Sequence, residues 1–145
     1  MERRAALKQV NLVVRDMKAS RDFYERLGVD VATTNTVWDE HHCNASAVEG
    51  FDFDLDSAEF ATKWDAGWPE GKAGAVITFA IESRAAVDEI YDDLTSAGYE
   101  GEQPPVDAFW GARFAIVKDP DGTSVGLMSP SDDAHRSAGP TPGQW

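Results

Sequence analysis

Three carboxylates at alternate positions make the segment 51–56 the first place where this chain can do chemistry. Its sequence, Phe-Asp-Phe-Asp-Leu-Asp, alternates without exception between apolar and acidic residues. In a β-strand this pattern puts Asp52, Asp54 and Asp56 on one face and the apolar residues on the other. If the apolar face packs on a helix, the carboxylates line a cavity or its rim and favour a cationic ligand. The other interpretation is an edge strand whose acidic face meets water.

Two adjacent histidines, His41 and His42, precede this acidic segment. Successive residues of a strand point to opposite faces, so at most one of the two can face the same cavity as the carboxylates. A histidine, Asp52 or Asp54 can act as a general acid or base if it lies within hydrogen-bond reach of a substrate. A solvated or hydrogen-bonded histidine pair is the simpler interpretation.

Four tryptophans fall at predicted strand ends or in a predicted bridge: Trp38, Trp64, Trp68 and Trp110. Their flat rings can stack on a planar or cationic ligand, although a tryptophan can equally serve packing. Trp110 is followed by Gly111, and Arg113 comes shortly afterwards, before a predicted turn. We predict that Trp110, beside a glycine, contacts a ligand at the mouth of a cavity.

The chain repeats itself at an offset of 67 residues, which indicates how these side chains are positioned. Six apolar residues recur, namely Val10, Leu12, Val14, Phe23, Tyr24 and Leu27 as Ile77, Phe79, Ile81, Ile90, Tyr91 and Leu94. In each copy the first three alternate as in a half-buried strand, and the last three fall on one face of a helix. The length of the repeat favours one domain of two fused half-barrels with a cleft at their junction.

Further strands follow in each copy, so residues 1–130 are predicted to form one α+β domain of two βαβββ modules. The modules span about residues 7–56 and 74–129, joined by a bridge at 57–73. Asp16 and Gly28 delimit the first helix, and Ser83 begins the second. The strands are predicted at residues 8–15, 31–37, 41–48 and 51–56, and at 75–81, 105–108 and the two arms of a hairpin turning at 119–122. Residues 131–145, rich in Ser, Pro, Gly and Asp, are predicted to form a mobile tail.

The composition is typical of a soluble protein that binds neither nucleic acid nor membrane. The 145 residues carry a formal net charge of −13, which repels phosphate backbones and either attracts cations or serves solubility. The apolar run near the start of the chain is too short for a membrane span or an export signal. Cys43 is the only cysteine, so no internal disulfide can form, and a cytoplasmic location is expected.

The order of elements resembles the vicinal oxygen chelate superfamily, also called the glyoxalase/bleomycin resistance/dioxygenase group. The resemblance covers about residues 7–130. It is carried by Val14-Arg15-Asp16, Ser20 and the run from Asp22 to Gly28 in the first module, and by Lys118-Asp119-Pro120-Asp121-Gly122 and Val125-Gly126-Leu127 in the second. It implies curved mixed sheets around a cup-shaped cavity. It does not settle the chemistry, because members include isomerases, dioxygenases, thiol transferases and drug-binding proteins.

Metal-dependent members of that group have a ligand on the first and on the last strand of each module, which identifies four positions here. In the first module they match Gln9 and either Asp52 or Asp54. In the second they match Val76 and Gly126, whose side chains offer no lone pair. Since stable sites supply three or four protein ligands, we predict neither a metal nor another cofactor. His41 or His42 is the only nearby replacement.

Strand alternation places small or polar side chains inside the cup. The predicted ligand-binding residues are Gln9, Asn11, Asp52, Asp54, Thr78, Trp110, Arg113, Ser124 and Met128. We predict a metal-independent protein that sequesters a bulky aromatic or cationic small molecule, as the resemblance to drug-resistance members implies. The alternative is a lyase or isomerase with an improvised metal site or an acid/base site. Open sheet edges further predict a homodimer.

Overall fold

A computed structural model of the chain describes residues 4–142. Eight strands form one mixed sheet: β1 Ala5–Val14, β2 Asp30–Val31, β3 His42–Val48, β4 Phe51–Ser57, β5 Gly74–Ile81, β6 Gly101–Asp107, β7 Arg113–Lys118 and β8 Ser124–Met128. The helical segments are α1 Met17–Leu27, α2 Ala58–Trp64 and α3 Arg84–Ser96, with two 3₁₀ turns at Val37–Glu40 and Asp133–His135. Within the described residues, no helix has the length and apolar character needed to cross a bilayer.

The strand order β2-β3-β4-β1-β5-β8-β7-β6 repeats one arrangement twice. In each module the first strand pairs in parallel with the last one, β1 with β4 and β5 with β8. The antiparallel pair of β1 and β5 joins the modules at the centre of the sheet. The sheet is curved and unclosed, so the predicted α+β fold of two βαβββ modules is confirmed.

The two longer helices begin at the residues that the sequence predicts. The Asp16 side chain accepts a hydrogen bond from the Ala19 amide at the start of α1, and the Ser83 hydroxyl accepts one from the Ala86 amide at the start of α3. Gly28 ends α1 with a φ of 105°, which a residue without Cβ adopts at no steric cost. These caps fix where each helix crosses the sheet.

Alternation along the central strands separates the two faces of the sheet. The outward side chains pack under the helices, with Leu12, Val14, Tyr24 and Leu55 in the core under α1 and Phe79, Val87 and Ile90 in the core under α3. Inward residues Val13 and Val76 instead join a cluster with Phe60, Trp64 and Trp68. The short helix α2 therefore covers part of the concave face.

The second strand is shorter than the predicted segment 31–37. Only Asp30–Val31 pair as β2, and the chain then turns. The Asp39 carboxylate accepts hydrogen bonds from the backbone amides of Thr34 and Asn35, and Asn35 has a φ of 57°. A side chain that bonds to nearby amides in this way favours a turn over a strand.

The acidic segment 51–56 is not at an edge of the sheet. It forms β4, which lies between β3 and β1. Phe53 and Leu55 pack with the core under α1, and this turns Asp52, Asp54 and Asp56 to the concave face. The edge-strand interpretation is therefore wrong, because pairing on both sides leaves this strand no free edge.

The C-terminal segment lies against the loop between β6 and β7. The Asp132 amide donates a hydrogen bond to the Gly111 carbonyl, and the Ser137 amide donates one to the Phe109 carbonyl. These bonds place Arg136 beside the concave face. The mobility of residues 131–145 stays a prediction, and the last three residues lie outside the described part of the chain.

Candidate functional site

A cavity of about 1040 Å³ lies on the concave face of the sheet. Its polar floor is formed by β1, β3 and β4 of the first module, and its other sides by α2, β5, β7, β8, the loop at 109–110 and the C-terminal segment. The charged residues that line it are Lys8, His42, Asp52, Asp54, Asp56 and Arg136. Small-molecule sites span roughly 300–1,000 Å³, so this cavity can hold a bulky guest.

A chain of hydrogen bonds crosses the floor from β1 to β3. Gln9 Nε2 donates to Asn11 Oδ1 over 2.6 Å, and Asn11 Nδ2 donates to Asp56 Oδ2 over 2.7 Å. Asp56 Oδ1 lies 2.5 Å from His42 Nδ1, and His42 Nε2 lies 3.1 Å from Asn44 Oδ1. Asp56 is 1% exposed and uses both oxygens in these bonds. It therefore fixes the orientation of the His42 ring.

The surroundings of His42 favour its imidazolium form. Burial lowers the pKa of His42, but the hydrogen bond to Asp56 and the charges of Asp56 and Asp54 outweigh burial, so the pKa lies above its usual value. Both ring nitrogens face acceptor oxygens, of Asp56 and Asn44, and an imidazolium with a proton on each nitrogen satisfies both. His42 is thus placed on the cavity floor as a hydrogen-bond donor whose surroundings favour the charged form.

Asp54 lies on the same floor, and its carboxylate makes no hydrogen bond or ion pair with any residue within 4–142. Burial raises the pKa of Asp54 to about 6; the charge of His42 opposes this shift, whereas those of Asp56 and Asp52 add to it. A desolvated carboxylate gains more from a cationic partner than an exposed one does, because excluding water strengthens the attraction. Asp54 is therefore the carboxylate that a positively charged ligand would meet.

The remaining charges are compensated near the rim. Lys8 Nζ lies 3.4 Å from an Asp52 oxygen, and both side chains are exposed. Arg136 Nε donates to Asp133 Oδ1 over 2.7 Å. Exposed pairs contribute about 0–1 kcal/mol each, so they leave the rim close to neutral without stabilising it much. Among the charged residues that line the cavity, Asp54 is the one whose carboxylate has no such partner within residues 4–142.

Aromatic rings form a continuous wall beside the acidic floor. The centroids of successive rings are separated by 5.3 Å for Trp38–Phe60, 6.2 Å for Phe60–Phe109, 5.1 Å for Phe109–Trp110 and 5.3 Å for Trp110–Phe114. All five residues line the cavity. Such a wall offers apolar contact area to a planar guest and π-faces to a cation.

Six of the nine predicted ligand-binding residues line this cavity: Gln9, Asn11, Asp52, Asp54, Trp110 and Met128. His42 also lines it, whereas His41 Nδ1 lies 3.0 Å from the Ser57 hydroxyl, as strand alternation requires. Three further residues line the cavity without any sequence pattern that predicts it: Phe60, Phe109 and Arg136. Phe60 belongs to the predicted bridge, and Arg136 to the predicted tail, where no periodic pattern indicated their direction.

Thr78, Arg113 and Ser124 do not line the cavity. Thr78 is 1% exposed within the second module, and the Ser124 hydroxyl donates to Glu102 Oε2 over 2.9 Å. Arg113 Nε donates to Asp88 Oδ1 of α3 over 2.8 Å. Thr78 is therefore buried within the second module, and Ser124 and Arg113 are bonded to other residues of that module.

The pattern of one protein superfamily matches nearly the whole described chain. The glyoxalase/bleomycin resistance protein/dioxygenase superfamily matches residues 6–127. The chain belongs to this superfamily. No curated protein matches the sequence.

Solved structures of this superfamily share the fold. The Mn(II)-bound glyoxalase from Novosphingobium aromaticivorans is 20% identical, with a TM-score of 0.60 over 100% of this chain and 44% of that one. A superfamily member from Vibrio splendidus 12B01 is 13% identical, with a TM-score of 0.56 over 87% and 99% of the two chains. A variant of homoprotocatechuate 2,3-dioxygenase from B. fuscum is 19% identical, with a TM-score of 0.61 over 88% and 33%. Identities this low show the fold and not the reaction.

The four positions that the superfamily resemblance assigns to metal ligands do not suit a metal here. Gln9 lies opposite Asp52 in the β1–β4 pair. In the second module Val76 is 1% exposed among apolar residues, and a Cβ at Gly126 would lie 2.5 Å from Thr78 Oγ1. Within residues 4–142, no group of three or more His, Cys, Asp or Glu side chains is placed to hold a metal ion. The donor set therefore does not fit the metal of metal-dependent relatives.

Proposed function

We propose that this protein is a metal-independent small-molecule-binding protein that takes up a bulky aromatic cation. The observation that carries the proposal is the Asp54 carboxylate, which lies without a partner among residues 4–142 beside a wall of five aromatic rings. A cationic ligand supplies the missing counter-charge, and its rings contact Trp38 and Trp110.

The cavity volume supports a bulky ligand, and the residues at the metal-ligand positions support metal-independent binding. The cavity volume of about 1040 Å³ exceeds what a small metabolite fills. Two of the four positions that hold a metal in relatives carry Val76 and Gly126, so binding must rest on contacts with the chain itself. Sequestration is a function that such contacts can perform without a reaction.

Ethidium, a planar aromatic cation, tests the proposal. It should quench the tryptophan emission saturably, and salt should weaken its binding. Stacking and charge attraction each contribute on the order of 1 kcal/mol, so Trp110→Ala and Asp54→Asn should each weaken binding about fivefold. Trp110→Ala should act at every salt concentration, because it removes contact area, and Asp54→Asn mainly at low salt. Asp121→Asn, in an exposed turn, removes the same charge and should change nothing.

The pH dependence of ethidium binding gives a second measurement on the same site. Because the pKa of Asp54 is raised to about 6, its carboxylate is protonated below that pH and cannot attract a cation. The affinity should therefore rise as pH increases from 5 to 7 in the wild type and stay flat in Asp54→Asn. Unsaturable quenching, or equal affinity in wild type and Trp110→Ala, would exclude binding in this cavity.

We also propose that two copies of the chain form a homodimer. The sheet ends at two open edges, β2 and β6, and α1 exposes 61% of Phe23 and 68% of Leu27. Burying such residues and edges against a second copy is a common solution. Light scattering at micromolar concentration should give the mass of two chains; a one-chain mass would exclude the dimer without affecting the binding proposal.

A further inference from the structure

We propose that the cavity also catalyses proton transfer in an aromatic ketone that carries an ammonium group next to its carbonyl. In this proposal Asp54 takes a proton from the carbon between the two groups, and His42 donates to the ketone oxygen. Asp56 is a positioning residue that holds His42. The inference rests on the proposed function, because the same aromatic wall and carboxylate bind the substrate.

The register of β3 and β4 places the acid and the base side by side. His42 is directly opposite Asp56, and Asn44 is directly opposite Asp54, with all four side chains on the cavity face. His42 and Asp54 are therefore diagonal neighbours, whose backbones are roughly 7–8 Å apart in such a pair. A carbonyl group and the carbon next to it fit between two side chains at this spacing.

His42 is prepared to donate a hydrogen bond rather than to accept one. Its Nδ1 is bonded to the buried Asp56, which keeps the ring in place and the imidazolium form stable. Its Nε2 faces Asn44 Oδ1 at 3.1 Å, and Asn44 is exposed. A ketone oxygen can therefore take the place of the Asn44 oxygen without disturbing the Asp56 contact.

Asp54 has the properties of a general base. It lies on the cavity floor, and within residues 4–142 no donor occupies its oxygens. Because it is desolvated on the cavity floor, its carboxylate is a better acceptor for a proton than an exposed one. The base thus lies beside a donor whose surroundings favour its charged form.

The substrate class follows from these two groups and the wall. A positive charge draws the ligand to Asp54, and a carbonyl oxygen is what an imidazolium donor binds. When the ammonium nitrogen and the carbonyl are attached to the same carbon, both groups acidify its hydrogens. An aryl group on the other side of the carbonyl then contacts Trp110 and Phe109.

The proton transfer balances within the site. The C–H bond between the carbonyl and the ammonium group breaks, and the proton passes to an Asp54 oxygen. The electron pair of that bond forms a carbon–carbon double bond, while the carbonyl π pair moves to oxygen, which takes the proton of His42 Nε2. The products are an enol, protonated Asp54 and neutral His42. The reverse steps restore all three, so no oxidant, reductant or co-reactant is needed.

Phenacyltrimethylammonium in D₂O is the probe. Its methylene group lies between the carbonyl and the ammonium nitrogen, and loss of the methylene signal in proton NMR reports each enolisation. The wild type should accelerate exchange at least a hundredfold over buffer, within the range of general acid–base catalysis of about 10²–10⁴. Benzyltrimethylammonium, which lacks the carbonyl, should bind in calorimetry with comparable affinity and should show no exchange.

Three variants and the control Asp121→Asn separate the roles at saturating probe. Asp54→Asn and His42→Gln should each lower the exchange rate at saturation at least tenfold, whereas Asp121→Asn, in an exposed turn, should keep it. Asp56→Asn should move the high-pH limb of the rate profile to lower pH, because it removes the main charge that keeps His42 protonated. The charged groups that face this pair are Lys8, Asp52 and Arg136, which stay unchanged in all three variants.

The outcomes distinguish this inference from the proposed function. Saturable binding of both compounds without enhanced exchange overturns proton transfer and leaves the binding protein. Exchange that is enhanced but unaffected by His42→Gln and Asp54→Asn also overturns it. If neither benzyltrimethylammonium nor phenacyltrimethylammonium binds, both the proposed function and this inference fail. Enhanced exchange lost in both variants supports it.

Discussion

The concave faces of the two modules share a backbone arrangement and differ in content. In the first module Gln9 and Asn11 of β1 face a cavity. At the offset of 67 residues their counterparts on β5 are Val76 and Thr78, each 1% exposed in a packed interior. The first module therefore presents polar groups to the cavity, whereas the second contributes the apolar Val76 to it and buries Thr78.

The hydrogen bonds show the same difference. Asn11 donates to the buried Asp56, and through it connects to His42. Its counterpart Thr78 leaves Oγ1 without a partner among the described residues, and it lies against Gly126. The duplicated fold thus keeps its strand pairing in both halves while only one half assembles a polar network. The second half is joined to the first through the pair of β1 and β5.

The largest expected effect of this difference is on stability. Trp68 is 5% exposed in the cluster that includes Val76, so Trp68→Ala should lower the free energy of unfolding by about 3–5 kcal/mol. Trp38 is only partly buried and lines the cavity, so Trp38→Ala should cost less than half as much and should weaken ethidium binding instead. Urea unfolding measures both. Equal costs would mean that the cavity wall at Trp38 is packed as tightly as the buried cluster around Trp68.

A smaller effect is expected from filling the contact between β5 and β8. A Cβ at Gly126 would lie 2.5 Å from Thr78 Oγ1, so Gly126→Ala should destabilise the protein by about 1–3 kcal/mol. Adding Thr78→Ala removes the clashing oxygen and should restore part of the loss. Urea unfolding of the single and double variants checks this. No recovery in the double variant would locate the strain elsewhere.

A still smaller effect on the free energy of unfolding is expected from Asp54 on the polar floor, and it should depend on pH. The pKa of Asp54 is about 6 in the folded protein, above its ordinary value of 3.8, so the unfolded chain ionises first as pH rises. Because of Asp54, the free energy of unfolding should therefore fall as pH rises from about 4 to 6, by on the order of 1–2 kcal/mol after solvent screening. Above pH 6 this contribution should no longer change with pH. The difference between wild type and Asp54→Asn in urea unfolding should show this slope. A flat difference would contradict a desolvated Asp54.

Sequence periodicity was sufficient to predict the fold, since the repeat, the caps at Asp16 and Ser83 and the turn after β7 are all local signals. The strand predicted at 31–37 failed because Asp39 bonds to amides several residues away, which no periodicity indicates. The edge interpretation of 51–56 failed because the order of strands in a sheet is a long-range property. Pairing with β1 on one side and β3 on the other is not encoded in the segment itself.

The pairing of His42 with Asp56 could not be predicted from the sequence, because it depends on an irregularity in the pairing of two strands. The register of β3 and β4 shifts between Ala45 and Val48, so a tight turn with regular pairing would have put His42 opposite Ser57. A shift of one residue moves a strand's whole set of side chains to the other face of the sheet. The contact of Arg113 was equally beyond the sequence, because its partner Asp88 lies on α3 and not near it in the chain.

The smallest expected effect concerns metal, where both halves should behave alike. The first module has an amide and carboxylates at its ligand positions, and the second has Val76 and Gly126, which add no donor. An ion held by two protein ligands is bound weakly, since stable sites supply three or four. Protein purified without chelator should therefore contain no stoichiometric zinc, nickel, iron or manganese, and EDTA should leave its thermal midpoint unchanged. One metal per chain that is lost on Gln9→Ala but kept in Gln103→Ala would show that the first module alone holds an ion, and the contrast between the modules would then be one of metal chemistry rather than of packing.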